Sequence, residues 1–299
     1  MKTLISIAGT TGIGKTSLAI KLAKELGTEI ISCDSRQFYR EMPIGTAAPT
    51  KEELLEVPHH FIGERSVVEP ISIGEYEHQA LERITELFNS YDSLILVGGS
   101  MMYEKAVTEG LDDLPEADPK NQENLLELWN SKGLEALAQL LKEVDPEYYN
   151  KADLNNPRRL LRAIDVSWQT SRPYSELLDK SKKSRPFQTI QLGISAPREV
   201  IYERINTRVD LMIESGLVEE AKMLLPYKDL PSLKTVGYTE LFAYFDGQFS
   251  LEKAVEEIKK NSRRFAKRQL TWYRKEESRY WVDYTNAFLE AKEYLSQKL

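Results

Sequence analysis

The chain opens MKTLISIAGTTGIGKTSLAIKLAKELG over residues 1–27, with Gly9-Thr10-Thr11-Gly12-Ile13-Gly14-Lys15-Thr16 at the centre of the run. TLISIAG is a short aliphatic, β-type run. TSLAIKLAKELG has helical spacing and is closed by Gly27. The GTTGIGKT between them fits G-x-x-x-x-G-K-[ST] in the strand-to-helix setting that the pattern requires. Glycines in such a loop let backbone N–H groups turn inward and cradle anionic oxygens at a helix N-terminus. Lys15 adds a mobile positive charge, and Thr16 offers a hydroxyl to Mg²⁺. The motif recognises a chain of phosphates and says nothing about what is attached to it.

Working outward, TEIISCD and DSLILVGG read as further strands, with a helix over 74–89 between them. Strands alternating with helices imply a parallel sheet covered on both faces. From LPEADPK to KKSRPF the text is polar and helical, with no clear strand. The β signal returns at TIQLGIS (189–195), long helical patterns follow to about residue 275, and RYWVDY (279–284) reads as a last strand. The expected fold is therefore α/β. A phosphate-loop NTPase-like parallel sheet core is built from 1–112 and 188–299, and an all-helical insertion domain spans 113–187.

Composition narrows the chemistry. A chain of 299 residues with 41% apolar and 29% charged residues has ample core for one large domain or two modest ones. It holds no apolar run of the ~20 residues that a membrane span needs. The N-terminal apolar run is too short for a signal peptide and flows directly into the phosphate loop, so a cytoplasmic protein with a buried first strand is expected. The single Cys33 excludes an internal disulfide, and His59, His60 and His78 are too few and badly spaced for zinc. At a net charge of −7, any nucleic-acid binding must come from local patches.

Many phosphate-loop hydrolases hold Mg²⁺ with a carboxylate at the end of a core strand. Here LILVGGS ends in Gly98-Gly99-Ser100 without an acid. Asp34, ending TEIISCD, is the candidate. From the residues alone it is either a helix cap or metal-shell group, or a base beside the phosphate cradle.

Further stretches break the tie. After the loop come DSRQFYREMPIGTAAPTKEEL, GGSMMYEKAVTEGLDDLPEADP, NNPRRLLRAIDV, RVDLMIESGLVEEA, KTVGYTEL and RRFAKRQLTWYR. In this order, from residue 4 to about 282, they closely resemble the tRNA dimethylallyltransferases, the isopentenyl transferases that modify an adenosine beside the anticodon. The resemblance implies that the loop residues Gly9 to Thr16 and Arg208 hold the diphosphate of dimethylallyl diphosphate rather than ATP. It assigns Asp34 as the base that frees the adenine amine. Lys15, Arg208 and Mg²⁺ on Thr16 would stabilise the leaving diphosphate. Ser100, where the family usually has threonine, would bring a hydroxyl to the reacting centre. The partners implied are the anticodon stem-loop of tRNA and dimethylallyl diphosphate; a monomer without a membrane partner is expected.

Local charge supports an RNA partner. Residues 259–279 hold nine Lys/Arg against two acids, with Phe265, Trp272 and Tyr273 interleaved. Arg158, Arg159 and Arg162 share one face of a helix start, where like charges repel unless an anion sits opposite. The family meets tRNA along this segment, Arg158, Arg159, Leu160, Leu161 and Arg162. The target adenine is expected to flip into a channel between core and insertion, lined by Asp34, Ser35, Arg36 and Gln37 and by Lys234, Thr235, Val236, Gly237 and Tyr238. Ser100 and Gln122 would lie near the RNA.

The sequence departs from the family at three points. Thr10 replaces proline in the usual GPTASGKT, Gly12-Ile13 replace Ala-Ser, and Thr239 stands where GYR or GYK is common. Alternative readings are an adenylate isopentenyltransferase acting on free AMP, ADP or ATP, a nucleotide kinase, and a non-catalytic RNA-binding switch.

Overall fold

The computed structural model describes residues 1–179 and 182–299. Lys180 and Ser181, inside the expected insertion, lie outside the described residues. The chain divides into two compact units, Met1–Glu109 with Ser184–Leu299, and Gly110–Lys183.

In chain order the first unit contains β1 (Thr3–Ala8), α1 (Lys15–Leu26), β2 (Ile30–Ser32), α2 (Lys51–Glu56), β3 (His59–His60), α3 (Ile73–Leu87), β4 (Ser93–Val97) and α4 (Met101–Glu109). The second unit follows with α5 (Pro119–Val144), α6 (Pro146–Lys151), α7 (Pro157–Thr170) and α8 (Tyr174–Leu177). The chain then returns to the first unit as β5 (Gln188–Ser195), α9 (Arg198–Glu214), α10 (Leu217–Met223), α11 (Tyr238–Phe245), α12 (Leu251–Tyr273), β6 (Tyr280–Asp283) and α13 (Ala287–Ser296). Among the described residues, the six strands pair in parallel in the order β3-β2-β4-β1-β5-β6.

β1 is paired on both edges and buried along its whole length, which is why it reads as an unbroken aliphatic run rather than an alternating one. Successive side chains go to opposite faces. Leu4, Ile31, Leu94 and Leu96 pack with Phe38, Tyr76 and Ile84 of one core cluster. Ile5, Ile7, Ile95, Val97 and Leu192 pack with Leu18, Leu22, Ile201 and Ile205 of the other. Each such side chain contributes roughly 1.5–3 kcal/mol by leaving water. A third cluster joins Met42 and Val67 to Val209, Leu217, Leu241, Phe242 and Ile258.

β3 has no signal in the sequence. It is a two-residue edge strand of histidines that pairs with Ile30 and Ile31, with the His60 ring held between Glu29 and Arg83. Within Gly110–Lys183 the described residues form helices around Leu125, Leu137, Leu141, Leu160, Leu161 and Ile164. α5 is broken at Gly133, whose φ of 80° no helix accommodates.

Candidate active site

β1 ends at the centre of the sheet, and the chain must leave it and enter α1 within a few residues. Gly12 and Gly14 make that reversal at φ 81° and 105°, a left-handed region costly for residues with a Cβ. Gly14 caps α1 without a side-chain hydrogen bond, so the first N–H groups of a 12-residue helix remain free for an anion. The loop borders a cavity of about 400 Å³, lined here by Thr11, Gly12, Gly14, Lys15, Thr16 and Ser17.

Lys15 Nζ donates to the carbonyls of Gly9 (3.1 Å) and Thr10 (3.0 Å). Burial pulls its pKa down to about 8, against the raising influence of Asp34. A buried ammonium of this kind is stabilised by an incoming anion. Arg208, on α9, lines the same cavity and donates from Nη2 to Thr11 Oγ1. Its Nε is buried without a hydrogen-bond partner among the described residues. The Thr10 and Ile13 side chains sit elsewhere: Thr10 is 1% exposed, and Ile13 packs in the core beside Leu18 and Ile205. The Ile13 side chain that replaces the family's serine thus points into the protein. The Ile13 N–H donates to Thr10 O, while Ile13 O accepts from Arg204.

The ends of β2 and β4 form the opposite wall. Asp34 lines the cavity, with Oδ1 accepting from Arg36 N (3.0 Å) and Oδ2 from Gly99 N (3.2 Å). The two strand ends touch so closely that a Cβ on Gly99 would stand 2.9 Å from Asp34 Oδ2. Gly98-Gly99 in place of an acid therefore makes room for the Asp34 carboxylate.

Several expected site residues do structural work in the fold. The Ser100 hydroxyl accepts from Ser35 N and donates to Ser35 Oγ, both at 2.9 Å, which spends it on the turn after β2 rather than on the cavity. Arg36 is tied to the carbonyls of Pro231 and Ser232. Gln37 does line the cavity, and its Nε2 holds the carbonyls of Thr46 and Ala47. The Tyr238 side chain is fully buried and donates to Glu220 at 2.6 Å. Gly237 N caps back onto Glu240, Thr235 O accepts from Thr239, and Val236 packs against the third cluster. Lys234 is exposed.

The helical unit divides in the same way. Asn156 caps α7 and Pro157 occupies its first turn, which sets Arg158 and Arg159 outward and exposed. Leu160 and Leu161 are buried in the core of that unit. Arg162 has its anion within the protein: it donates to Pro115 O at 2.6 Å and pairs with the buried Asp165 at 3.6 Å. Gln122 is half-buried in the first turn of α5.

Gln269 was not singled out by the sequence reading. It is 0% exposed, accepts from Thr11 N and donates to Gly99 O, each at 2.8 Å. The buried face of α12 steps through Ala254, Ile258, Ser262, Ala266, Gln269 and Tyr273. A glutamine in that stripe must find partners, and this is the signal that could have exposed it. Thr46, Ala47, Ala48 and Pro49 of the IGTAAP block also line the cavity, as do Glu53, His59, Ile62 and Phe265. Burial lowers the pKa of His59, whose Nδ1 faces Val57 O. Among the described residues no group of three or more His, Cys, Asp or Glu could hold a metal. No helix there is long and apolar enough to cross a membrane.

Comparison with known proteins bears on this geometry. The chain is 50% identical to a tRNA dimethylallyltransferase of Christiangramia forsetii over 99% of this chain and 98% of that protein. It superposes with a TM-score of 0.73 and 37% identity on the full-length tRNA isopentenylpyrophosphate transferase of Bacillus halodurans, covering 100% of this chain and 97% of that one. A eukaryotic dimethylallyltransferase described as acting on tRNA gives a TM-score of 0.83 at 26% identity, over 99% of this chain and 80% of that one. The sequence model named IPP transferase matches residues 37–276, beginning just past the phosphate loop and Asp34. With relatives similar along almost their whole length, the chain belongs to the IPP transferase family.

Proposed function

We propose that the protein transfers the dimethylallyl group of dimethylallyl diphosphate to the exocyclic amine of the adenosine 3′-adjacent to the anticodon of tRNA, releasing diphosphate. The observation that carries the reading is one cavity bounded by a phosphate loop, two half-buried cations and an opposing carboxylate: Lys15, Arg208 and Asp34. The names of the relatives, tRNA dimethylallyltransferase and dimethylallyltransferase acting on tRNA, support the substrate pair.

In this scheme the donor diphosphate lies on the N-terminus of α1, with Lys15 and Arg208 on its oxygens. The adenine amine is a weak nucleophile because its lone pair is delocalised into the ring. As its nitrogen bonds to the allylic carbon, the bond from that carbon to the diphosphate oxygen breaks and the electron pair leaves with the diphosphate. Asp34 takes the proton shed by the amine; each of its oxygens already holds one backbone N–H, leaving lone pairs free to accept. Charge growing on the leaving group meets positive groups fixed in place beforehand. Thr16, which lines the cavity, and the diphosphate oxygens suit Mg²⁺, which takes few protein ligands and keeps its waters; when bound it would neutralise leaving-group charge. Ser100 and Arg36 serve the scheme by shaping the turn that presents Asp34.

The test is incubation with labelled dimethylallyl diphosphate and either unmodified tRNA or AMP, with mass spectrometry of the digested products. Label on one adenosine of tRNA is the expected result. Label on AMP alone would replace this reading with a free-nucleotide transferase, and phosphate transfer without prenyl product would replace it with a kinase.

A further inference from the structure

Two loops border the reacting groups, one as the phosphate cradle and one against the Asp34 carboxylate, and they leave different strands. The phosphate loop follows β1, and Gly98-Gly99 follows β4, its neighbour in the sheet. Gln269 bridges them. Its Oε1 accepts the Thr11 N–H and its Nε2 donates to Gly99 O. A peptide N–H can only donate and a carbonyl only accept, so these partners determine which way the amide faces. The bridge continues at both ends. Arg208 Nη2 donates to Thr11 Oγ1, and Gly99 N donates to Asp34 Oδ2 at 3.2 Å. The result is an unbroken chain from the diphosphate arginine through Thr11, Gln269 and Gly99 to the carboxylate.

Gln269 is held firmly enough to transmit position. It lies on a 23-residue helix between Ala266 and Tyr273, which are 0% and 1% exposed. Gly99 is clamped on both sides of its Cα, by Gln269 at its carbonyl and by Asp34 at its N–H. A Cβ there would crowd Asp34 Oδ2 (2.9 Å) and Gln269 Nε2 (3.3 Å).

We infer that Gln269 is a positioning residue that sets the distance between the Asp34 carboxylate and the phosphate loop. The inference rests on the reading of Asp34 as the base. A base must reach an amine that is itself placed by the diphosphate-bound donor, and a displacement of about 1 Å can lower a rate by roughly 100-fold. Gln269 spans that interval.

The experiment is a double-mutant cycle on single-turnover rates, using labelled dimethylallyl diphosphate and unmodified tRNA, with Gln269→Ala, Asp34→Ala and the double variant. Gln269→Ala is expected to slow transfer by about 10–100-fold while donor and tRNA dissociation constants stay within about 2-fold. In the Asp34→Ala background the same change is expected to cost less than about 3-fold, because the group it positions is gone. Gln269→Met keeps length and packing but makes neither hydrogen bond; it should behave as Gln269→Ala does, and it stands in if the alanine variant does not fold. Equal losses in both backgrounds, a loss confined to donor affinity, or a Gln269→Met variant as fast as the native protein would overturn the inference. Failure of the base reading has a different signature: Asp34→Ala itself would transfer at the native rate, or the native protein would not prenylate tRNA.

Discussion

At the scale of single residues the site turns on one carboxylate. Asp34 emerges from the sequence as an ambiguous acid, cap or base, because both roles place an aspartate after a strand. The structure puts its carboxylate on the cavity wall facing Lys15 and Arg208, with both oxygens oriented by backbone N–H groups. Asp34→Ala is expected to lower turnover at least about 100-fold, the usual scale for a general base, with tRNA affinity retained. Single-turnover kinetics alongside a tRNA binding isotherm checks both halves. A loss of only a few-fold would give Asp34 another job. Asp34→Asn keeps the size of the side chain and one of its two acceptors, sets an NH2 against either Gly99 N or Arg36 N, and cannot take up a proton at the amide, so a loss comparable to that of Asp34→Ala is expected.

At the scale of elements, local patterns were legible where a segment's own periodicity decides its structure. The phosphate loop, α1 ending at Gly27, the aliphatic strands and the strand-free stretch after residue 112 all read directly from the text. β3 was not legible, since two histidines at an edge carry no period. The resemblance blocks were legible as blocks but not as roles, because a block matches whether its residues touch substrate or hold the backbone. KTVGYTEL shows the difference. Tyr238, expected at the RNA, is buried and donates to Glu220 Oε1, and the same carboxylate accepts Ile44 N (2.9 Å) and Gly45 N (2.8 Å). Glu220 on α10 thereby pins the IGTAAP segment, whose Thr46, Ala47, Ala48 and Pro49 line the cavity. Glu220→Ala would leave two backbone donors and a buried hydroxyl unpaired, a loss of about 3 kcal/mol. The expected outcome is a lower denaturation midpoint together with a raised KM for dimethylallyl diphosphate. Tyr238→Phe removes one of the three bonds and should give a smaller shift in the same direction. Native donor KM in a destabilised Glu220→Ala protein would separate the pin from the cavity.

At the scale of the molecule, the question is how a chain of net charge −7 receives a polyanion. Its 40 Lys and Arg are not equally available. Within residues 259–279, Arg279 is consumed by the buried Glu104 and by Glu276, and Lys259 by Asp210. Lys267, Arg268, Arg274 and Lys275 remain exposed, with Arg268 lying over the Phe265 ring. In the helical unit Arg162 grips Pro115 O and Asp165, so the exposed pair there is Arg158 and Arg159. Each phosphate contact that is lost should flatten the slope of log K against log salt by about 0.7–0.9. Arg158→Ala with Arg159→Ala is therefore expected to weaken tRNA binding and reduce that slope by about 1–2, with donor affinity unchanged. Lys267→Ala with Arg268→Ala should do the same on the core unit, and the two reductions should add if one tRNA engages both patches. Arg162→Ala should behave differently, destabilising the helical unit because Asp165 loses its partner, with the salt slope little altered. Binding isotherms between 50 and 200 mM salt, a range over which several phosphate contacts change affinity by orders of magnitude, read all three variants. An unchanged slope for the Arg158/Arg159 pair would take RNA off that helix start. A flattened slope for Arg162→Ala would mean that its guanidinium exchanges Asp165 for phosphate when tRNA arrives.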